Sequence, residues 1–336
     1  MENIRPDRKT NCQAFFIPTI MTPTISDIEQ AAKRINKYIH HTPVMTSHSI
    51  NRMTGAEIYF KCENFQKAGA FKFRGACNAV FSLDDDSVRN GVATHSSGNH
   101  AAALALAASL RGIRSYIVMP ETAPEIKKKA VKGYGAEITF CKPTLKARET
   151  TLASVVKRTS ATVIHPYNNF SVICGQGTCA LELPDKIKDP DIIMTPVGGG
   201  GLLSGTAITV SSIYPTAKVY AAEPAGADDA YRSFKNGKLI PSVEPSTIAD
   251  GLLTSLGDLN FQIIKKYVDD ILTASEENII KAMQMIWERM KIIIEPSSAV
   301  PLAVILEHPR RFQGKKVAII LTGGNADLMT LPFRNS

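Results

Sequence analysis

Ile192-Ile193-Met194-Thr195-Pro196-Val197-Gly198-Gly199-Gly200-Gly201-Leu202-Leu203 is the stretch on which the fold turns. Its first half is a short, nearly continuous apolar run, the pattern of a strand buried on both faces. The glycines let the backbone turn tightly, and the segment from Leu202 onward reads as a helix. Strand, glycine loop and helix together open a parallel α/β unit. Amides at a helix N-terminus behind such a loop attract an anion. A phosphate cradle at Gly198, Gly199, Gly200 and Gly201 is favoured over a plain turn, because four glycines cost conformational entropy that a plain turn leaves uncompensated. No Gly-Lys-Ser/Thr follows, so this is not a Walker loop. Gly-x-Gly-x-x-Gly fits in no register, although Glu223 lies near the position of a ribose-binding acid. The uncharged run from Ile192 to Ala217 has 26 residues, enough to span a bilayer. Pro196, the glycines and Pro215 break it, so no membrane association is expected.

Outward from this segment, short apolar runs alternate with helical patterns. Strands are expected at Glu57–Cys62, Val92–His95, Ser115–Met119, Glu137–Cys141, Val163–His165, Ile192–Val197, Lys218–Ala222, Asp270–Thr273 and Lys316–Leu321. His100–Arg111 reads as a helix stopped by Gly112, and Glu276–Lys291 as a helix capped by Ser275. The alternation implies α/β architecture with parallel strands. At 336 residues, 44% hydrophobic and 21% charged, the chain suits about two globular domains and excludes collagen-like, coiled-coil and disordered classes. No long linker separates two halves, which points to two domains sharing a cleft, one inserted into the other.

The six cysteines include no Cys-x-x-Cys pair and no zinc spacing, and read as small buried hydrophobes in a reducing compartment. The net charge of +8 raises the question of nucleic acid. The densest basic run, Lys127-Lys128-Lys129 with Lys132, has only Tyr134 as an aromatic neighbour and carries no nucleic-acid signature, so it reads as a solvated helix face. Near the N-terminus, Arg5, Arg8 and Lys9 precede a short apolar stretch broken by Pro18. Glu2 and Asp7 in the basic part and the lack of a clear cleavage site disfavour a signal peptide. Residues 1–24 are expected to be a mobile extension of a cytoplasmic protein.

Three more segments could carry chemistry. Ser96-Ser97-Gly98-Asn99-His100 joins a strand to a helix, and its hydroxyls and amides could hold a carboxylate or serve as an ordinary cap. Lys72, flanked by Phe71 and Phe73, is oddly placed for a solvated charge. Desolvation would make it a neutral, nucleophilic amine, whereas snorkelling would leave it an ordinary surface lysine. Thr322 ends the last strong strand, at the edge where parallel sheets bind ligands.

These segments resemble, as an ordered set, the pyridoxal-phosphate enzymes of the second fold type, and within them the serine racemase and serine/threonine dehydratase family. The similarity runs from about Ile28 to Asp327. It includes Lys61-Cys62-Glu63-Asn64-Phe65-Gln66-Lys67, the Lys72 segment, Ser-Ser-Gly-Asn-His, the glycine tetrad and Glu223-Pro224. Ile248-Ala249-Asp250-Gly251, Ile294-Glu295-Pro296 and Thr322-Gly323-Gly324-Asn325 complete it.

The resemblance implies two open, twisted, mostly parallel sheet domains with helices on both faces: a large domain of residues 25–90 and 169–336 with a small domain, 91–168, inserted and closing over substrate. It implies that Lys72 forms the Schiff base with pyridoxal 5′-phosphate, that Gly198 to Gly201 hold the phosphate, and that Asn99 bonds the ring's 3′ oxygen. Phe71 would pack on the ring face, and Thr322 would contact the ring nitrogen as a neutral hydroxyl. Lys72 and Ser97 would be the two acid/base groups of an amino-acid racemase acting on serine, with β-elimination to a keto acid and ammonia as a second outcome. Ser96, Ser97, Asn99, His100 and Tyr167 would meet the substrate. Tyr167 stands where mammalian-type racemases have Asn. Glu223, the Ala227 carbonyl and Asp229 match a divalent-cation site suited to Mg²⁺, Mn²⁺ or Ca²⁺. A homodimer is implied, as is the absence of a regulatory domain after Asp327. The alternatives are a serine/threonine or 3-hydroxyaspartate ammonia-lyase and, from another class, a nucleotide-binding module.

Overall fold

The computed structural model describes residues 21–333, so Cys12 and the 1–20 part of the expected extension lie outside the described residues. Ten strands form two sheets. β1 (Val44–Thr46), β2 (Glu57–Cys62), β7 (Ile192–Pro196), β8 (Lys218–Pro224), β9 (Asp270–Ala274) and β10 (Lys316–Leu321) make a six-stranded sheet ordered β1-β2-β10-β7-β8-β9. β3 (Val92–His95), β4 (Ser115–Pro120), β5 (Glu137–Cys141) and β6 (Thr162–Val163) make a four-stranded sheet ordered β5-β4-β3-β6. Every pairing is parallel except β1 with β2. β1 is three residues long, too short for periodicity to reveal. The expected Val163–His165 strand ends at Val163. Pro166 has no N–H for a ladder, and the His165 ring accepts the N–H groups of Tyr167 and Asn168, turning the chain away from the sheet.

The central strands β7 and β10 are buried almost throughout, as their uninterrupted apolar runs require. The suspected bilayer-length run resolves into β7, the tetrad and the Gly201–Ile213 helix. Among the described residues no helix is long and apolar enough to cross a membrane.

Three helices pack side by side beneath the site: Lys72–Ser82, Phe170–Leu181 and Gly201–Ile213. They approach backbone to backbone. A Cβ at Gly205 would lie 2.5 Å from the amide nitrogen of Gly177 and from the Ile173 carbonyl, and one at Gly175 would lie 2.7 Å from the Gly75 Cα. The absent side chains set the spacing between the lysine-bearing helix and the glycine tetrad.

A buried ionic cluster pins the Lys72 helix from behind. Arg74, fully buried, donates through Nε and Nη2 to both oxygens of buried Glu63 at 2.7 and 2.8 Å, and through Nη1 to Glu182 at 2.7 Å. Lys61 reaches Glu182 at 2.5 Å and the Thr42 carbonyl at 2.6 Å. Burial alone would raise the Glu63 carboxyl, but Arg74, Lys61 and the Thr42 hydroxyl outweigh it and hold the group below its usual range. Arg74→Met should therefore destabilise the protein by about 3–5 kcal/mol at neutral pH, by stranding a buried carboxylate. A depressed carboxyl contributes stability above its unfolded pKa and loses it as pH falls through the folded value. Urea midpoints of wild type and variant should differ less near pH 3 than at pH 7, and equal gaps would remove Arg74 from this role.

Candidate active site

The carboxyl ends of the parallel strands open onto a cleft of 330 Å³ between the two sheets. Lys72, Phe71, Ser96, Ser97, Asn99, His100, Tyr167, Gly198 to Gly201 and Thr322 all line it. Segments spread over 250 residues thus meet in one place. Glu223, Ala227 and Asp229 do not line the cleft; Glu223 sits near the end of β8, and Ala227 and Asp229 just beyond it.

Lys72 is the first residue of its helix. The chain before it is tied to the end of β10 by the Phe71 N–H to the Thr322 carbonyl at 2.9 Å and by the Ala70–Gly323 bridge. The Lys72 Nζ donates to the Pro166 carbonyl at 3.2 Å and lies 5.1 Å from the centre of the Phe71 ring. Burial lowers its pKa to about 8, with the Glu295 carboxylate pulling the other way. The desolvated amine, rather than the snorkelling one, is what the cleft holds.

Ser96, Ser97 and Gly98 connect β3 to the Asn99–Arg111 helix, whose first amides lack intrahelical acceptors. His100 is 2% exposed with both ring nitrogens unpaired, and burial holds it well below the ordinary histidine range. It is therefore neutral, a hydrogen-bonding rather than a charged group. Asn99 donates to both oxygens of Glu295 at 2.8 and 2.9 Å, and its own carbonyl accepts from Asn325 at 2.9 Å. The Thr322 hydroxyl pairs with Ser298 Oγ at 3.0 Å, while Ser298 also bridges the Gly323 backbone.

Two cleft residues escaped the sequence pattern. Lys127, expected on a solvated face, is 9% exposed and pairs with Asp250 at 2.5 Å. It turns inward because its helix, Glu125–Gly133, packs Lys127 and Val131 against the body and leaves Lys128 to solvent-side Glu125. Arg148 lines the cleft with its Nε buried and unpaired, and a lone arginine in a helix carries no local signal.

The tetrad suits a phosphate. Gly200 has φ +91, which disfavours any side chain. The Gly199 carbonyl is turned outward to the Gly257 N–H and Asn260 Nδ2, and the Gly201–Ile213 helix begins directly behind. With a neutralisable amine, an aromatic face at Phe71 and a neutral hydroxyl at Thr322, the lining fits pyridoxal phosphate.

The cation residues are less complete. Both oxygens of buried Glu223 accept helix-terminal amides, from Ala230 at 3.0 Å and Tyr231 at 2.7 Å. Asp229 accepts from the Leu256 amide at 2.9 Å, and its other oxygen is buried without a partner. Burial pushes Asp229 up to about 6 and Glu223 well above its usual range. An orphaned oxygen on one of two poorly solvated, mutually repelling carboxyls fits a hard cation. Among the described residues, however, no cluster of three or more His, Cys, Asp or Glu gathers for a metal. The five described cysteines are all buried and unpaired with one another, their thiols pushed up by burial.

Comparison with known proteins places this geometry. Residues 35–323 match the model of the pyridoxal-phosphate dependent enzyme family. The chain is 54% identical to a serine racemase of Dictyostelium discoideum, over 92% of this chain and 97% of that protein. It is 53% identical to a beta-hydroxyaspartate dehydratase of Paracoccus denitrificans, over 93% and 99% of the two chains. The crystal structure of the Dictyostelium racemase superposes with a TM-score of 0.87, covering 92% of this chain and all of that one. The two-sheet fold, the cleft and the match across 289 residues agree: this chain belongs to the pyridoxal-phosphate dependent enzymes.

Proposed function

We propose that the protein interconverts L- and D-serine and, at the same site, eliminates the β-hydroxyl of serine to yield pyruvate and ammonia. The observation that carries this is the meeting of Lys72 and Ser97 in one cleft, an amine titrating near 8 and a hydroxyl on a separate element. The 54% identical serine racemase supports it. When bound, pyridoxal phosphate supplies the electron sink for the charge left at Cα once its proton is removed.

The chain's own groups do the rest. Around pH 8 much of Lys72 is neutral amine, able to accept the Cα proton. Ser97 serves as the second proton donor and acceptor, which inversion of Cα requires. Ser96, Asn99 and the helix N-terminus behind them attract the substrate carboxylate, with neutral His100 as a hydrogen-bonding partner. The tetrad amides hold the phosphate, Phe71 covers a ring face, and Thr322 offers a neutral hydroxyl at the ring nitrogen. We assign residues 91–168 to the smaller domain, inserted between 25–90 and 169–336.

Incubation of the pure protein with L-serine should yield both D-serine and pyruvate. Ser97→Ala should cut D-serine formation roughly 100-fold and pyruvate formation far less, as expected for one removed acid/base group. Pyruvate without any D-serine from the wild type would reduce the activity to elimination alone.

A second substrate has specific support. The unpaired, buried Nε of Arg148 offers a cation to a substrate with a second carboxylate, and a 53% identical relative is a beta-hydroxyaspartate dehydratase. Ammonia release from 3-hydroxyaspartate, serine and threonine ranks the three. Arg148→Met should lower 3-hydroxyaspartate turnover at least about tenfold relative to serine, the size of a lost charge-assisted hydrogen bond. An unchanged ratio would take Arg148 out of substrate choice.

Glu223, the Ala227 carbonyl and Asp229 form our candidate for a divalent-cation site, supported by the orphaned Asp229 oxygen. We also read the protein as a homodimer, and its buried free thiols favour a reducing setting such as the cytoplasm. Chelation should lower the melting temperature, and Mg²⁺ or Ca²⁺ should restore it, while sedimentation gives twice the chain mass throughout. An unaltered melting curve would leave the two carboxylates with a purely structural role.

A further inference from the structure

Tyr167 lines the cleft, yet its closest partners are the tetrad glycines. A Cβ at Gly199 would stand 2.3 Å from Tyr167 Cγ and 2.4 Å from both Cδ atoms, so the ring occupies the space a side chain there would need. A Cβ at Gly201 would meet Tyr167 Cα, Cβ and O at 3.2 Å. Thr254 also lines the cleft, and its Oγ1 would lie 3.4 Å from a Cβ at Gly198. The ring thus covers Gly199, and the Tyr167 backbone lies against Gly201.

The backbone is cross-linked in the same place. Asn260 Nδ2 donates to the carbonyls of both Tyr167, at 3.2 Å, and Gly199, at 2.8 Å, and the Gly257 N–H reaches the Gly199 carbonyl at 3.2 Å. In a trans peptide C=O and N–H point in opposite directions. With the Gly199 carbonyl held toward the Asp258–Tyr267 helix, the Gly200 N–H points away from that helix, to the cleft side. Tyr167 itself is held by its N–H to the His165 ring at 3.4 Å and by the edge-to-face contact of the two rings, 4.6 Å between centres.

We infer that Tyr167 is a positioning residue for the cofactor's phosphate. Its ring fills the place of the missing Gly199 side chain and its backbone lies against Gly201, so the tetrad keeps the shape that aims its amides at the anion. Four successive glycines have more backbone freedom than any other tetrapeptide, and binding is tight only when that freedom is removed beforehand. This inference rests on the tetrad's being the phosphate site. It gives Tyr167 a task apart from substrate contact.

The test uses full-length apoprotein titrated with pyridoxal phosphate, with Kd from absorbance and the ³¹P resonance of the bound phosphate as a second readout. Tyr167→Phe keeps the ring and should hold Kd within about threefold of wild type, whereas Tyr167→Ala should weaken binding about tenfold or more. Tyr167→Ala should also shift and broaden the phosphorus line, which a merely structural loss elsewhere would leave in place. Gly199→Ala should weaken binding further, and adding Tyr167→Ala to it should regain about tenfold, because the clash is relieved. Where Gly199→Ala does not fold, the contrast of Phe with Ala at position 167 decides. A wild-type Kd and phosphorus line in Tyr167→Ala would overturn the assignment while leaving the phosphate site intact. Equal affinity of wild type for pyridoxal and pyridoxal phosphate would overturn both.

Discussion

Arg74 lies two residues after Lys72, and two residues of helix are a rotation of about 200°, so the guanidinium grips the body on the side away from the amine. There it meets Glu63 at the end of β2 and Glu182 just past the Phe170–Leu181 helix, with Lys61 completing a set of two cations and two anions. Each of these charges would be costly to bury alone, and full mutual pairing is what makes the burial tolerable. The cluster ties the start of the Lys72 helix to a strand and to a second helix. The glycine contacts among the three helices tie it to the tetrad in turn. The Lys72 amine and the glycine tetrad are held at a fixed spacing because of charges that do not line the cleft.

Inside the cleft, burial acts on the titrating groups in one direction, against charge. Lys72 is brought to about 8 and His95 and His100 are held below their usual range, while Glu295 is raised, partly countered by Lys127 and Asn99. The result is an amine able to change protonation near neutrality, among imidazoles that stay neutral. Such a site can move a proton without first stripping a strongly solvated charge. Lys127 keeps its proton because Asp250 and Glu295 together outweigh its desolvation. It lies over the Ser96–Asn99 loop, 3.3 Å from the place of a Gly98 side chain. The Glu125–Gly133 helix and the Asp250–Leu252 turn are thus joined by an ion pair at the cleft.

Most of the fold was legible because its signals are local. Glu57–Cys62, Val92–His95, Glu137–Cys141 and Lys316–Leu321 begin and end where the apolar runs do, and Ser275 caps its helix as expected. The sequence by itself also marked which segments to look at for chemistry: a lysine set between aromatics, a hydroxyl-rich strand end and a glycine loop ahead of a helix. Each depends on neighbours within a few positions, where backbone freedom and side-chain type act directly. Only the tertiary structure decided that these segments share one cleft, that Lys127 turns inward to Asp250 across 123 residues, and that Arg74 reaches Glu182 across 108. It decided as well that Gly199 is glycine because a tyrosine ring lies where its side chain would be. Strand order and helix contact bring such groups together, and no periodicity in the chain records a distance between residues that far apart.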